Sequence, residues 1–277
     1  LSYYYIKEAL KYQKPKAIVL EVSYCNTPEY THEGVLHINL DDLRMSPVKL
    51  EAIFDIIPKG ERWPYIFELA KYHDTWTTLD KASLEYIGTD KHNPYKGYTP
   101  SVEGFADGGE FDEEIAKVTE KAELAELSVT YMEKIIALCK EEGVDLLFLK
   151  TPNDHIHNQP EYNAVADLAA KHEVPYLDLN RQMKGQLHNH VFHAETITKR
   201  IGEWLTELYQ IEDKRENPAF AKWHEDADYY YRYAHQLRLN EIEDYEAYLQ
   251  ELIGRDYIVC FAVNQDAGAY LSEEAVN

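Results

Sequence analysis

Apolar side chains recur at helical spacing through residues 2–13 and stop before Pro15, where the period changes. The run "KAIVLEV" (16–22) is short, almost wholly apolar and rich in β-branched residues, and it ends in the polar stretch "SYCNTPEY". A helix feeding a strand with no polar face is half of a parallel-sheet unit, because such a strand is buried on both sides. The same order returns twice. Residues 112–142 carry one long helical pattern, Gly143 caps it, and "VDLLFLKTP" (144–152) follows as a second buried strand. Residues 160–172 are helical again and lead into "VPYLDLN" (174–180), a third strand. A further helix over 194–210 places Ile197, Ile201, Trp204, Leu205 and Leu208 on one face. Alternation of this kind predicts an α/β fold, a parallel sheet with helices on both faces in three layers.

Two regions depart from the alternation. Residues 27–111 form a long insertion with a helix at 47–57, an aromatic-rich helix at 64–72 and a loop-rich stretch with glycines at 97, 104, 108 and 109. Insertions at strand carboxyl ends build lids and pockets in open α/β sheets. After residue 211 the polar run "EDKRENPAF" reads as a linker, two helices follow at 219–235 and 241–253, and "DYIVCFAV" (256–263) is an isolated strand. The expected division is therefore an α/β domain over 1–211 and a C-terminal region over 212–277 that starts as helices and leads into β structure.

Charge narrows the partners. Fifty acidic residues against 28 basic ones give a net −22, which repels nucleic acid phosphates and anionic lipid. Neither nucleic acid nor a membrane surface is an expected partner, whereas small neutral substrates are compatible with such a surface. No run of about 18 apolar residues exists, so no membrane span is expected from this segment. No signal peptide is visible; the sequence opens at Leu1 inside an apolar, aromatic stretch and reads as a piece of something longer. Cys25, Cys139 and Cys260 are far apart and form neither a disulfide framework nor a paired metal motif. The 23 tyrosines are an excess, and Tyr3-Tyr4-Tyr5 and Tyr229-Tyr230-Tyr231 read as half-buried helix faces with solvated hydroxyls.

Chemistry in a doubly wound sheet collects in loops just past the strand carboxyl ends. Three loops qualify: "EVSYCN" with Glu21, Ser23, Cys25 and Asn26; "KTPNDHIHN" with Lys150, Thr151, Asn153, Asp154, His155 and His157; and the segment after "LDLN", which reaches "QLHNHVFHAETITKR" (186–200). The last holds His188, His190 and His193 in six positions. Three readings are open: a metal site, the histidine end of a hydrolase, or a solvated loop. An HxH pair supplies two zinc ligands, but no HExxH, CxxC pair or Asp-rich cluster accompanies it, so no metal and no cofactor is expected. Asn26 and Asn153 each follow a strand and offer an amide to an oxyanion, or else simply favour a turn. Ser23 follows the first strand, and Ser2 is accounted for as a helix N-cap. His73 and Trp76 in "YHDTW" line a pocket from the insertion or pack as aromatics on the sheet edge.

The order of elements, and the stretches "SYYYIKEALKYQKPKAIVLEVSY", "YHDTWTTLD", "EYNAVADLAAKHEVPYLDLN" and "AETITKRIGEWL", resemble the SGNH/GDSL hydrolases, in particular bacterial branches related to the DltD-like and alginate-acetylation proteins. The resemblance covers most of residues 2–210. It implies a serine esterase or O-acyltransferase acting on carbohydrate or cell-envelope esters, with the parent protein in the bacterial envelope or outside the cell. Carried over by position, Ala194 and Thr198 match the family's Gly-Ala and Thr, His188 takes the place of the catalytic histidine, Asn189 of leucine and His190 of asparagine. Gly185 stands where the family's aspartate stands. An alignment shifted by one residue puts Leu187 in the histidine's place instead. The family's nucleophile sits on a strand-to-helix turn upstream of the helix that opens this sequence, so the resemblance implies that residues 1–277 are inactive alone. The alternative is a non-catalytic SGNH-like module that binds glycan or a partner protein.

Overall fold

A computed structural model of the chain describes residues 1–26, 33–67, 77, 80–81, 93–110, 112–153, 158–186 and 188–253. Contacts gather the chain into two compact units, Leu1–Asp90 with Val102–His193 and Lys91–Ser101 with Ala194–Asn277.

The first unit is α/β. Helix α1 (Ser2–Ala9) leads through Pro15 into β1 (Ala17–Glu21), and β2 (Asp145–Lys150) and β3 (Tyr176–Asp178) complete a parallel three-stranded sheet in the order β1-β2-β3. All three strands lie within the apolar runs that predicted them. Leu20 pairs with Phe148, and Phe148 with Tyr176, so Ile18, Leu20, Leu146, Phe148 and Tyr176 share one face. That face packs with Met132, Ile135 and Cys139 of α6 (Glu126–Glu142) and Val165, Leu168 and Ala169 of α7 (Gln159–Lys171). Leu147, Leu149 and Leu177 point the other way and are also buried, as runs without a polar face require.

A second core lies under the insertion. Tyr4 of α1 meets Leu40 of α2 (Glu33–Asp41), Ala52, Ile53 and Ile56 of α3 (Pro47–Ile56) and Tyr65 of α4 (Trp63–Ile66). Ser46 caps α3 by accepting from the Lys49 amide at 3.2 Å, with Pro47 in the first helical position. α1 joins the two cores, because Tyr3 and Ile6 pack on the sheet-side cluster while Tyr4 faces the other.

The helical pattern over 112–142 resolves into α5 (Glu113–Lys117) and α6, with non-helical backbone from 118 to 125. Tertiary partners claim that backbone. Asn163 Nδ2 donates to the Val118 and Glu120 carbonyls, Arg181 donates to Ala116 and Val118, and the Ala125 amide donates to Asn26 Oδ1. Gly143 ends α6 in the left-handed region at φ +67°, as its place before β2 predicts.

The second unit contains most of α8 (Val191–Tyr209), α9 (Ala221–Asn240) and α10 (Tyr245–Leu252), with the segment around Tyr95 and Tyr98. Rings hold that segment to α9: Tyr95 lies 5.6 Å from Tyr229 and Tyr98 lies 6.1 Å from Tyr230. The expected strand over 256–263 lies outside the described residues. Among the described residues no helix is long and apolar enough to cross a membrane.

Candidate functional site

Strand parity decides what stands at the carboxyl end of the sheet. Lys150 follows Phe148 by two residues and Asp178 follows Tyr176 by two, so both continue the face that packs on α7. Lys150 and Asp178 are register partners, which places a cation beside a carboxylate. Glu21 belongs to the opposite face and reaches Thr151, which has the same parity.

Lys150 is fully buried. Its ammonium donates to the Thr151 carbonyl and lies 4.8 Å from the centroid of the Tyr162 ring. Burial pushes its pKa below the ordinary lysine value, against the pull of Glu21 and Asp178. Burial likewise raises the Asp178 carboxyl, against a 2.7 Å hydrogen bond from Gln159 Nε2. The acid is held further by the Asn180 amide at 3.0 Å, and Gln159 Oε1 accepts in turn from Asn180 Nδ2 at 2.9 Å. Asn180 Oδ1 accepts from the Asn153 amide at 2.8 Å. The network thus ties the second loop to the third through buried amides with their partners in place. Tyr176 Oη is buried with no hydrogen-bond partner among the described residues.

The first loop is tied to the second by Glu21. Its carboxylate accepts from the Ser23 amide at 2.8 Å, Ser23 Oγ at 2.5 Å, the Thr151 amide at 3.1 Å and Thr151 Oγ1 at 2.9 Å. Tyr162 donates to the Ser23 carbonyl at 3.2 Å. Asn26 is engaged on both ends of its amide, donating to Glu161 at 3.1 Å and accepting from Ala125 at 2.7 Å. Asn153 side chain meets the Tyr162 hydroxyl. Asn26 therefore ties Ala125 to α7 through both ends of its amide, and the Asn153 side chain is engaged by Tyr162.

In the third loop Gly185 lies on the peptide joining Pro152 to Asn153, and a Cβ there would fall 2.6 Å from the Pro152 oxygen and nearer still to its carbonyl carbon. Asn189 Nδ2 donates to the same Pro152 carbonyl at 3.2 Å. The predicted convergence of loops is thus present between the second and third, as between the first and second. The three histidines separate. His190 is buried and its Nδ1 accepts from the Phe192 amide at 3.3 Å; His193 is buried, pairs with the Lys184 carbonyl at 2.8 Å and packs its ring on Gly108. His188 is exposed, with no hydrogen bond to its ring among the described residues. Among the described residues no three His, Cys, Asp or Glu side chains gather to hold a metal. His73, Trp76, Asp154, His155 and His157 lie outside the described residues.

Lys150 and Glu21 were visible as loop polar residues, but Asp178, Gln159 and Asn180 were not singled out by sequence. The usable signal was an ionisable residue ending each strand: Glu21, Lys150 and Asp178. No family model, curated protein or solved structure matches the chain.

Proposed function

We propose that the first unit is an SGNH-hydrolase-like three-layer α/β module that binds a carbohydrate or acyl-ester ligand at the carboxyl end of its sheet, without itself performing ester chemistry. The observation that carries this reading is the packing of Gly185. A hydrolase of that family pairs its histidine with a carboxylate three residues earlier, and position 185 has no room for a side chain against Pro152 and Asn153. His188 is accordingly left exposed and unoriented by any described residue. The ionisable groups that do converge, Lys150, Asp178 and Glu21, are engaged by internal hydrogen bonds that tie the loops together.

Ester hydrolysis or O-acyl transfer by this chain is the second reading, and Ser23 favours it. Its hydroxyl donates to the Glu21 carboxylate at 2.5 Å on the loop after β1, which gives this serine a carboxylate base, although the family's own nucleophile stands upstream of α1. A p-nitrophenyl acetate assay on residues 1–277 separates the two. Rates equal to background for the parent, Ser23→Ala and His188→Ala exclude ester chemistry by these residues and leave the binding module, or an enzyme whose nucleophile lies upstream of α1. A rate well above background that either variant abolishes overturns it and assigns the chain ester chemistry.

A further inference from the structure

The second unit holds a groove of about 790 Å³ between α8, α9 and the segment around Tyr95, all within that unit. Its size falls in the range of about 300–1,000 Å³ common for small-molecule sites, and its walls have the usual make-up of aromatic surface with a few fixed polar groups. Tyr98, Trp223, Tyr230 and Tyr231 line it. Trp223 and Tyr231 stay 58% and 63% exposed, so the groove is floored by rings that folding leaves in water. Large exposed rings clustered in a concavity mark a recognition surface, whereas scattered ones do not.

The polar groups are held in place before any ligand arrives. Glu195 accepts from Tyr230 Oη at 3.1 Å on one oxygen and from Arg238 at 2.5 Å on the other. Each oxygen keeps a lone pair, so the carboxylate is an oriented acceptor for two neighbouring donors. Asp226 is buried and is held by Lys96 at 2.5 Å and Lys222 at 3.5 Å. Lys96 also lies over the Trp223 ring at 4.2 Å, which fixes its ammonium beside the aromatic floor.

Charge selects the ligand class. The ionisable acids and bases of the lining are two lysines, Lys96 and Lys199, and two carboxylates, Glu195 and Asp226. Within the lining they cancel, on a chain whose net charge is −22, and the bases behind them, Arg238 and Lys222, are engaged by Glu195, Glu225 and Asp226. A site for a cation would keep the excess of acid found elsewhere, and a site for an anion would gather more bases. Aromatic faces with pre-oriented, charge-balanced donors and acceptors match a ligand with apolar ring faces and hydroxyls around its rim. We propose that this groove is a binding site for a neutral oligosaccharide, with one sugar ring on Tyr231 and another against the face of Trp223 that Lys96 leaves open, and its hydroxyls bonded to Glu195 and the Lys96–Asp226 pair.

The proposal stands on the second unit alone and does not depend on the reading of the sheet end. The full 277-residue chain is screened on an array of neutral glycans, with spermidine and heparin as charged probes, and hits are measured by calorimetry. Binding of a neutral oligosaccharide that weakens at least tenfold in Trp223→Ala and in Tyr231→Ala, and severalfold in Glu195→Gln, is the expected result. The exposed rings make the two alanine variants safe for folding, which a melting curve checks. No retained neutral glycan, or retention of spermidine or heparin in its place, overturns the proposal. So does saccharide binding that is unchanged in the Trp223→Ala/Tyr231→Ala double variant, and that last outcome would leave a site in the first unit intact.

Discussion

Lys150 and Asp178 are register partners at the carboxyl end of β2 and β3, a fully buried cation beside a half-buried carboxylate that also faces Arg181 at 3.5 Å. Breaking a buried charge pair typically costs about 3–5 kcal/mol; here Asp178 keeps Arg181 and Lys150 keeps Glu21 when the other is removed, which places the cost at the lower end. We expect Lys150→Ala to destabilise the chain by about 3 kcal/mol or more in urea denaturation. The double variant Lys150→Met/Asp178→Asn should fall short of the sum of its single changes by about 1–3 kcal/mol. Additive effects would mean that the two groups do not sense each other.

The same pair gives the stability a pH profile. Burial raises the Asp178 carboxyl, so the folded chain holds that proton more firmly than the unfolded one. Its contribution is present below the ordinary carboxylate value, about 4, and is lost as pH rises through the folded value. Lys150 is lowered by burial, so the unfolded chain is the better proton binder. Its penalty is present at low pH and relieved as pH rises toward the ordinary lysine value, about 10.4. Melting temperatures measured in pH steps should show Asp178→Asn flattening the loss of stability as pH rises above about 4 and Lys150→Met flattening the alkaline rise. Unchanged slopes in both variants would refute the assignment.

Two glycines should respond in opposite directions to the same substitution. Gly185→Ala forces a methyl into the Pro152–Asn153 peptide, and overpacking of that kind costs about 1–3 kcal/mol. Gly202 lies inside α8 with open space where a Cβ would go, so Gly202→Ala should stabilise by about 0.5–1 kcal/mol. Chemical denaturation of the two variants decides it. A neutral Gly185→Ala would remove the steric argument against a carboxylate beside His188.

How far the sequence could be read follows from which interactions are local. The strands were legible because "IVLEV", "LLFL" and "PYLDL" are short, mostly apolar runs, although Val19 and Glu21 leave one face of β1 exposed, and Gly143 because a helix pattern stops there. The break at 118–125 was not, since Asn163 and Arg181, far along the chain, take the carbonyls that a continuous helix would use. The candidate site divides the same way. Three loops past three strands were expected and two junctions between them are formed, but Lys150 beside Asp178 depends on register, which no local pattern encodes. Tyr229-Tyr230-Tyr231 could not share one helix face, because successive residues turn by about 100°. Tyr229 and Tyr231 are exposed and Tyr230 is half-buried.

The three histidines should differ sharply in what they contribute. His193→Ala deletes a buried ring and leaves the Lys184 carbonyl without its 2.8 Å partner, a loss of about 2–3 kcal/mol. His188→Ala removes an exposed side chain and should change stability by less than about 0.5 kcal/mol. Urea midpoints for both variants are the measurement. A large effect of His188→Ala would reveal a partner for it and restore its candidacy as a working group.

Cys25 offers a test of how dry the first loop is. Its amide donates to the Val22 carbonyl at 3.1 Å, which turns the thiol back toward the end of the sheet. Burial pushes the thiol pKa up to about 12, and the nearby carboxylates of Glu161 and Glu21 add to the rise. Only the thiolate is nucleophilic, so at pH 8 a rise from about 9 to about 12 lowers the reactive fraction roughly a thousandfold. Iodoacetamide labelling followed by peptide-resolved mass spectrometry should therefore find Cys25 at least about a hundredfold slower in the native chain than in denaturant. Glu161→Gln should speed native labelling severalfold, and more than Glu21→Gln, because Glu161 has the larger influence on the thiol. The two variants also guard against a trivial explanation, since slow labelling from blocked access alone would be indifferent to either charge. Native labelling within tenfold of the unfolded rate would mean that the loop opens readily, and the half-buried thiol would then become a candidate nucleophile beside Ser23.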